Sequence, residues 1–585
     1  MSKFYEVRKR DGAARSGKLA RNGGVQTPCM LWVEREEELL EVIATKDTNF
    51  EVLASEATWN VPRGAVLLPE VHPLFTDVNP LFVDFFVLAF ATNMLRSPRD
   101  FVRRIIDARN AILPDVALWV PAIATAENAA ILFYMGVDII DDTNTVLKGY
   151  QGIYQMEDGE SRLTELDDLP CNCNVCSSVC IDDLKAMTRK EQALLLAKHN
   201  TLLLAKEVKK VRECIRAGNL REYVEMKVRA STFLTAVLRI LDMQEEQYFE
   251  TRTPIARNHV MNANTMESLK RIEVKRFANR VLERYEPPAR PILLILPCSA
   301  RKPYSKSNSH TKFIDAIAEY RGHIHEIVLT SPLGIVPREL ELSYPAAFYD
   351  IPVTGYWDAE EREWVSSCLR AYLNKNQKNY EVVVAHLDGA YKEICASVAA
   401  DLGIELVFTC KPNETPTEAL NLLKVRIAGL CPDRKPLYGF ERKASIVKAM
   451  ADFQFGIGAG SELIAKEEGE NLKIRGQFPF YTLSTNNEVL ARIVPQYGLL
   501  TITMKGASRI SNLMHTYNVE IGDFVPKGSV LAPGVVNADP QIRVNDEVVF
   551  CGKNAFGVGR AKMNGSEMRE SRRGVAVQVR EVKEI

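Results

Sequence analysis

The stretch Ile292-Leu-Leu-Ile-Leu-Pro-Cys298 predicts a buried parallel strand that ends at Pro297. Three later apolar runs, at 327–329, 382–385 and 406–408, alternate with helical stretches. This alternation predicts a doubly wound α/β domain over residues 286–430. Ligands of such sheets bind beyond the carboxyl ends of the strands, so Cys298 lies where a site is expected.

The loop after this strand concentrates reactive side chains. It follows the pattern Pro-Cys-x3-Lys-Pro-Tyr-x2-Ser-x2-His, which places a thiol, an ammonium, a phenol, a hydroxyl and an imidazole close together. The alternative interpretation is a polar surface loop in which these residue types are accidental. The predicted catalytic residues of this loop are Cys298, Lys302, Tyr304, Ser307 and His310.

Two further loops follow strands of the same predicted sheet. Because the carboxyl ends of parallel strands share one edge, these loops are expected to converge on the Cys298 loop. The predicted substrate-binding residues of the first are Ser331, Gly334, Arg338 and Glu339, and the predicted catalytic residues of the second are His386 and Asp388.

The bulk properties are those of an ordinary multidomain protein. The 585 residues predict three to five domains, and the net charge of −1 gives no global signal for nucleic acid. The apolar runs are too short to span a bilayer, and residues 1–10 lack the apolar core of a signal peptide. We therefore expect a cytoplasmic protein that makes no membrane contact.

Four of the 12 cysteines fall between residues 171 and 180, which indicates metal binding in a reducing compartment. Cys171, Cys173 and Cys176 form a tight knuckle, and a helix that begins with a capping box at Thr188 carries His199. Three thiolates and one imidazole fill a tetrahedral zinc site and leave no position for a substrate, so the zinc is expected to be structural. Cys180 is interpreted as a bystander or a substitute ligand.

The two ends of the chain predict different architectures. Within the predicted first domain, residues 1–285, the stretch up to about residue 165 carries repeated βα units, which suit an α/β barrel or an open sheet, and helical patterns follow. Residues 431–504 predict a small α+β module, and residues 505–585 predict a β-barrel that resembles a PUA domain, an RNA-binding module. That last segment contains 12 Lys and Arg residues and 9 Asp and Glu residues, a net charge of +3. The predicted phosphate contacts are Lys553, Arg560, Lys562, Arg572 and Arg573.

The Cys298 motif resembles the signature of the archaeosine synthases, a family related to the archaeal tRNA-guanine transglycosylases. Residues 4–19 resemble the opening hairpin of the transglycosylase barrel, and residues 136–143 resemble the stretch that carries its nucleophilic aspartate, here Asp141. The zinc spacing also matches. The chain lacks the Asp-Ser-Gly-Gly-Phe-Gln segment of the purine pocket. The resemblance therefore implies a degenerate TIM-like (β/α) barrel in which Asp141 is a relic or has a structural role.

The resemblance also implies a substrate and partners. The substrate is archaeal tRNA that carries 7-cyano-7-deazaguanine at position 15 in the D-arm, and the amine of free lysine adds to its nitrile. A radical-SAM partner protein then releases the amidine, and the relatives suggest a homodimer. Cys298 either forms a covalent thioimide or shapes the pocket, with His310 or Asp388 as base and Tyr304 or Lys302 as proton donor. Alternatively, a tRNA phosphate binds to Lys302 and His310.

Three alternatives remain open from the sequence. An active tRNA-guanine transglycosylase would need the missing purine-pocket segment. A non-catalytic tRNA-binding scaffold would keep the zinc module and the PUA domain without turnover. A protein that binds ribosomal RNA would rest on the PUA domain alone.

Overall fold

The computed structural model describes residues 4–20, 25–32, 49–54, 57–62, 65–67, 85–88, 91–353, 356–411, 415–466, 468–511 and 517–585. Its contacts define two compact units. The first comprises residues 1–254, 531–533 and 566–575, and the second comprises 255–530, 534–565 and 576–585.

The first unit combines short strands with a helical segment. Its strands are β1 (Phe4–Asp11), β2 (Ala14–Ala20), β3 (Val25–Thr27), β4 (Cys29–Leu31), β5 (Asn49–Ala54), β6 (Ala57–Pro62), β7 (Ala65–Leu67), β8 (Phe85–Val87), β9 (Ala117–Trp119), β10 (Ile139–Asp141), β11 (Ile153–Gln155) and β12 (Glu160–Arg162). Its helices are α1 (Pro98–Ala111), α2 (Ala129–Tyr134), α3 (Thr143–Tyr150), α4 (Ile181–Ala186), α5 (Arg189–Ala217), α6 (Leu220–Lys227), α7 (Thr232–Gln244) and α8 (Glu246–Arg252).

Within this unit β1 and β2 form the expected antiparallel hairpin. Five strands form a parallel sheet in the order β4-β10-β9-β8-β7. The predicted capping box at the start of α5 is present, because Thr188 Oγ1 accepts from the Glu191 amide and the Glu191 carboxylate accepts from the Thr188 amide. It fixes the start of the helix that carries His199.

The second unit begins with the predicted α/β domain. Its first elements are β13 (Met261–Asn262), α9 (Ile272–Arg284), β14 (Ile292–Pro297), α10 (Asn308–Ile317), β15 (Ile324–Thr330), β16 (Gly334–Pro337), β17 (Tyr349–Asp350), α11 (Ala359–Asn376), β18 (Val382–Ala385), α12 (Gly389–Leu402), β19 (Leu406–Phe408) and α13 (Pro416–Leu430). The four apolar runs found in the sequence thus form β14, β15, β18 and β19.

The sheet of this domain has the order β16-β15-β14-β18-β19. β14 pairs in parallel with β15 and β18, β18 pairs in parallel with β19, and β16 is antiparallel. Helices α10 and α13 cover one face, where Leu294, Leu296, Ile317, Leu423 and Ile427 share a core. The chain runs from β14 to one side and then crosses to β18, so the topological switch point lies between β14 and β18.

The later elements are α14 (Gly439–Phe455), α15 (Ala459–Ile464), β20 (Leu472–Arg475), β21 (Thr482–Thr485), β22 (Glu488–Val494), β23 (Leu499–Ile502), α16 (Met504–Ile510), β24 (Asn518–Ile521), β25 (Ser529–Leu531), β26 (Val535–Ala538), β27 (Glu547–Cys551), β28 (Ala555–Ala561), α17 (Gly565–Glu570) and β29 (Val575–Glu584). Strands β20 to β23 form a four-stranded antiparallel sheet. Strands β24 to β29 form a six-stranded sheet. Across the described ranges, no helix combines the length and the apolar character that a membrane span requires.

Candidate active site and metal centre

Cys298 and Asp388 follow the two strands that flank the switch point of the sheet. Cys298 comes directly after β14, and Asp388 occupies the N-cap position of α12, after β18. Cys298 is half-buried and Asp388 is exposed. Both side chains therefore lie at the edge where an α/β sheet binds its ligands.

Tyr391, in the first turn of α12, connects these two loops. Its hydroxyl lies 3.0 Å from Cys298 Sγ. Its ring packs edge-on against Trp357, with the ring centroids 4.7 Å apart. Burial raises the pKa of Tyr391 and the neighbouring Cys298 raises it further, so its hydroxyl keeps its proton at neutral pH. Tyr391 was not among the residues predicted from the sequence, although its position three residues after Asp388 was a usable signal.

Lys302 is a half-buried residue of the loop that follows β14. Its Nζ is 4.0 Å from the centroid of the Tyr349 ring. Burial lowers the pKa of Lys302, while Cys298 and Asp350 act in the opposite direction. A half-buried ammonium of lowered pKa gives up its proton more readily than a lysine on the surface.

Tyr304 belongs to a buried chain of hydroxyls. Its hydroxyl is 2.6 Å from that of Tyr349, which is 2.7 Å from Thr330 Oγ1, and Thr330 Oγ1 donates to the Ser331 carbonyl. The Thr330 hydroxyl has one proton and donates it to the Ser331 carbonyl, so it accepts a hydrogen bond from the Tyr349 hydroxyl. The Tyr349 hydroxyl in turn accepts from the Tyr304 hydroxyl. The Tyr304 proton is thus used inside the fold, and burial raises the pKa of this phenol.

His310 is completely buried, and both of its ring nitrogens have partners. Nε2 lies 3.0 Å from the Pro297 carbonyl, to which it donates, and Nδ1 accepts from the Arg338 guanidinium at 2.8 Å. Burial and the Arg338 charge lower the pKa of His310 to about 3. The neutral ring therefore anchors the residue before Cys298. Ser307 caps α10, since its Oγ accepts from the His310 amide at 3.2 Å.

The four residues predicted to bind substrate have partners inside the fold. Arg338 donates to Glu326 and Glu341 at 2.9 and 3.2 Å, and Glu339 accepts from the Tyr285 hydroxyl at 2.9 Å. Ser331 donates to Glu361 at 2.7 Å. Gly334 has a φ of +75°, and a Cβ there would lie 2.6 Å from Cys368. These residues support the loops, and their contact with substrate stays a prediction.

His386 also faces inward. Its Nδ1 lies 2.8 Å from Thr409 Oγ1, and its ring packs edge-on against Phe313 at 4.9 Å. Burial lowers the pKa of His386 to about 4, although Asp388 acts in the opposite direction. His386 is therefore neutral at physiological pH, and Cys298, Lys302, Tyr391, Asp388 and Cys410 are among the half-buried or exposed groups of this edge.

The predicted metal ligands come together in the first unit. The ligand atoms of Cys171, Cys173, Cys176 and His199 lie within 4.8 Å of one another. His199 Nδ1 is 3.5 Å from Cys173 Sγ and 3.3 Å from Cys176 Sγ, close to the edge of about 3.5 Å that zinc bond lengths give for a tetrahedron. Cys180 lies outside the group, because its Sγ caps α4 instead.

Two neighbours hold the imidazole in place. His199 Nε2 donates to the Gln155 carbonyl at 2.8 Å, which leaves Nδ1 free for a metal. Tyr154 stacks on the ring, with the centroids 4.0 Å apart, and its hydroxyl lies 3.4 Å from Cys176 Sγ. This donor set fits a structural zinc ion, which would tie the knuckle to α5.

Asp141 has the contacts of a structural residue. The buried carboxylate accepts from Trp119 Nε1 at 3.0 Å and from the amides of Ala122 and Thr143 at 3.1 and 3.0 Å. Ala122 has a φ of +58°, so this carboxylate stabilises a strained turn. The geometry favours the interpretation that Asp141 is structural.

The cationic residues predicted to bind RNA differ in their exposure. Lys553 is exposed and lies 3.1 Å from Asp523. Arg560 is half-buried over the Tyr497 ring, at 4.4 Å, and burial lowers the pKa of Lys562. Arg572 and Arg573 belong to the segment 566–575 of the first unit. All five contacts with RNA stay predictions.

Four family models match the chain. They describe a queuine tRNA-ribosyltransferase at residues 85–232, a domain of unknown function (DUF5591) at 274–427, the patch-forming domain C2 of tRNA-guanine transglycosylase at 445–516 and a PUA domain at 516–583. The predicted fold class is confirmed. The C2 match covers most of the module to which the sequence analysis could give no identity.

Individual relatives agree with these models. The chain is 42% identical to the archaeosine synthase subunit alpha of Methanosarcina acetivorans and 39% identical to the archaeosine synthase of Haloferax volcanii, each over 100% of both chains. It is 28% identical to the tRNA-guanine(15) transglycosylase of Methanothermobacter thermautotrophicus, over 77% of this chain and 64% of that protein.

Proposed function

Because the chain belongs to the archaeosine synthase family, we propose that it adds the side-chain amine of free lysine to the nitrile of 7-cyano-7-deazaguanine at position 15 of archaeal tRNA. Membership makes it a tRNA-modifying enzyme of archaeosine biosynthesis. The observation that carries the finer proposal is the Cys298 thiol at the switch point, 3.0 Å from the Tyr391 hydroxyl and in the same loop as the half-buried Lys302.

The addition needs no leaving group from the base. The amine nitrogen bonds to the nitrile carbon, one amine proton leaves, and the former nitrile nitrogen gains a proton. Lys302 is suited to donate that proton, because burial lowers its pKa. Asp388, exposed at the neighbouring strand end, is suited to accept the proton from the amine.

In the covalent route Cys298 reacts first. Its sulfur bonds to the nitrile carbon and its proton passes to the nitrile nitrogen, with Tyr391 as the relay between them. The lysine amine then bonds to the same carbon, and the thiol is restored when the sulfur leaves and takes up the amine proton. In the direct route Cys298 only shapes the pocket, and the amine attacks without this intermediate.

The remaining regions serve folding and docking in this proposal. The zinc ion stabilises the knuckle of the first unit, and the PUA domain holds tRNA while the D-arm opens to release the base. A radical-SAM partner protein cleaves the lysine adduct to the amidine. A homodimer is the proposed assembly.

The test is mass spectrometry of nucleosides from nitrile-bearing tRNA incubated with the enzyme and lysine. We expect the deazaguanine to gain the mass of one lysine, Cys298→Ala to abolish the gain, and Cys551→Ala to leave it unchanged, since Cys551 is exposed in β27. If the deazaguanine gains mass only with glutamine or ammonia, one of these is the amine donor in place of lysine. No product while tRNA still binds would refute the proposal and favour the scaffold.

The covalent route has its own test. Without lysine, the protein is expected to retain the nitrile nucleotide after nuclease digestion, and Tyr391→Phe is expected to slow its capture. If wild-type enzyme forms the lysine adduct while no protein adduct appears in single-turnover experiments, the direct route is correct.

A further inference from the structure

A cavity in the second unit is lined by residues other than the half-buried groups around Cys298. It has a volume of about 260 Å³ and is bounded by α10, by the segment after β16 and by the start of α14. Ile314, Ile446 and Phe478 supply apolar walls. Five cationic and three carboxylate side chains also line it, so its occupant depends on which of these charges are already neutralised.

The carboxylates are neutralised by partners within the fold. Glu326 lies 2.6 Å from Arg321 and 2.9 Å from Arg338. These two guanidinium groups outweigh the effect of burial and lower the pKa of Glu326 to about 2. Glu341 lies 3.2 Å from Arg338, and Glu339 lies 3.6 Å from His325. Arg321 and Arg338 are therefore committed to the wall, and the fifth cation, Arg290, lies 3.7 Å from Glu441.

Two cations remain without a carboxylate partner. Lys306 and Arg442 are exposed, and neither forms an ion pair with any residue in the described ranges. Lys306 Nζ lies 5.7 Å from the Phe478 ring centroid. Because the three carboxylates of the wall are already paired, an anion that enters the cavity meets a net positive site.

We propose that this cavity binds a phosphate group, with Lys306 and Arg442 as its ligands. A guanidinium donates two parallel hydrogen bonds to phosphate oxygens, and an ammonium adds a compact charge with three donors. The phosphate comes either from the tRNA backbone or from free phosphate in solution. The site does not depend on the proposed reaction, because it is defined by binding.

The site lies beside the Cys298 motif. Lys306 sits between Tyr304 and Ser307, and the wall residue Arg338 donates to His310. A phosphate held by Lys306 fixes the loop that begins at Cys298. In the tRNA case this contact would place the backbone next to the loop that receives the base.

The experiment compares three proteins: wild type, the Lys306→Gln/Arg442→Gln variant, and a control with Lys424→Gln and Arg426→Gln. The control residues are exposed on α13 and do not line the cavity. Thermal unfolding is measured with inorganic phosphate against chloride at constant ionic strength. tRNA binding is measured over a range of salt concentrations.

Each source of phosphate gives a distinct result. A free phosphate raises the melting temperature of wild type and control but not of the cavity variant. A tRNA phosphate gives no such protection. In that case the cavity variant loses roughly tenfold in tRNA affinity, and the slope of the logarithm of its binding constant against the logarithm of the salt concentration becomes shallower by about 2. If the cavity variant matches the control in both measurements, the proposal is wrong.

Discussion

His310→Gln is expected to remove part of the acid sensitivity of the α/β domain. In the folded protein the pKa of His310 is lowered to about 3 by burial and by Arg338, with Glu326 opposing. An unfolded chain binds this proton near pH 6.5. Between pH 6.5 and 3 the unfolded state therefore binds more protons than the folded state. The contribution of His310 to the free energy of unfolding is complete above pH 6.5 and decreases as the pH falls.

The magnitude follows from the two pKa values. At pH 5 the unfolded histidine is almost fully protonated and the folded one is not, which costs about 2 kcal/mol relative to pH 8. Above about pH 5 the Glu326 carboxylate, with a pKa near 2 in the fold, adds little to the change. At pH 7.5 the variant itself costs about 1–3 kcal/mol, because the Arg338 donor loses its buried acceptor.

The assay is hydrogen exchange of the β14 and β15 amides at pH 7.5 and pH 5, corrected for intrinsic exchange rates. Wild type is expected to lose about 2 kcal/mol more protection on acidification than His310→Gln. Acid effects from His386 are common to both proteins and cancel. Lys312→Gln, an exposed change on the same helix, serves as the control.

Equal losses of protection in wild type and His310→Gln would refute this reasoning. A kinetic result would refute it as well. If His310 were the general base, the variant would lose one limb of the pH–rate profile of lysine addition. A positioning residue lowers the rate at every pH and keeps the shape of the profile.

Three further changes test other parts of the molecule. Cys176→Ser is expected to remove about one equivalent of zinc and to lower the melting temperature, as measured by elemental mass spectrometry and calorimetry; retention of full zinc would contradict the ligand set. Asp141→Ala is expected to destabilise the first unit by about 2–4 kcal/mol, because one buried and two partly buried donors lose their acceptor, and wild type is expected to show no guanine exchange in tRNA. Gly334→Ala is expected to destabilise the α/β domain by at least about 1 kcal/mol, since φ is +75° and the new Cβ meets Cys368; an unchanged denaturation midpoint would contradict this.

Local sequence patterns predicted the strands of the α/β domain well. The apolar runs became β14, β15, β18 and β19, because a strand buried on both faces needs a continuous apolar segment. The cluster of Cys171, Cys173, Cys176 and His199 was predictable for a similar reason, since the spacing of three thiols and the cap at Thr188 are local features. Both predictions depend on short stretches of chain.

The roles within the motif were not predictable in this way. Tyr349 reaches Tyr304 from the short strand β17, and Tyr391 reaches Cys298 from α12, so neither contact leaves a signal in the spacing of the motif. The sequence also shows that His310 is present without showing that its two nitrogens already have partners. A hydrogen-bonding group is available to a substrate only if the fold has not used it.

That distinction separates the motif into two layers. Tyr304, Ser307 and His310 are buried, and their polar atoms bond to the fold, so their substitution acts through the position of the loop. Cys298 and Lys302 are half-buried, and Cys298 Sγ lies 3.0 Å from the hydroxyl of Tyr391, three residues after the α12 N-cap residue Asp388. Chemistry on a nitrile needs groups that can exchange protons during the reaction, and a buried group with every bond satisfied cannot do so without breaking the fold. In the proposed reaction the chemistry is therefore assigned to the outer layer, and the inner layer accounts for a motif that extends as far as His310.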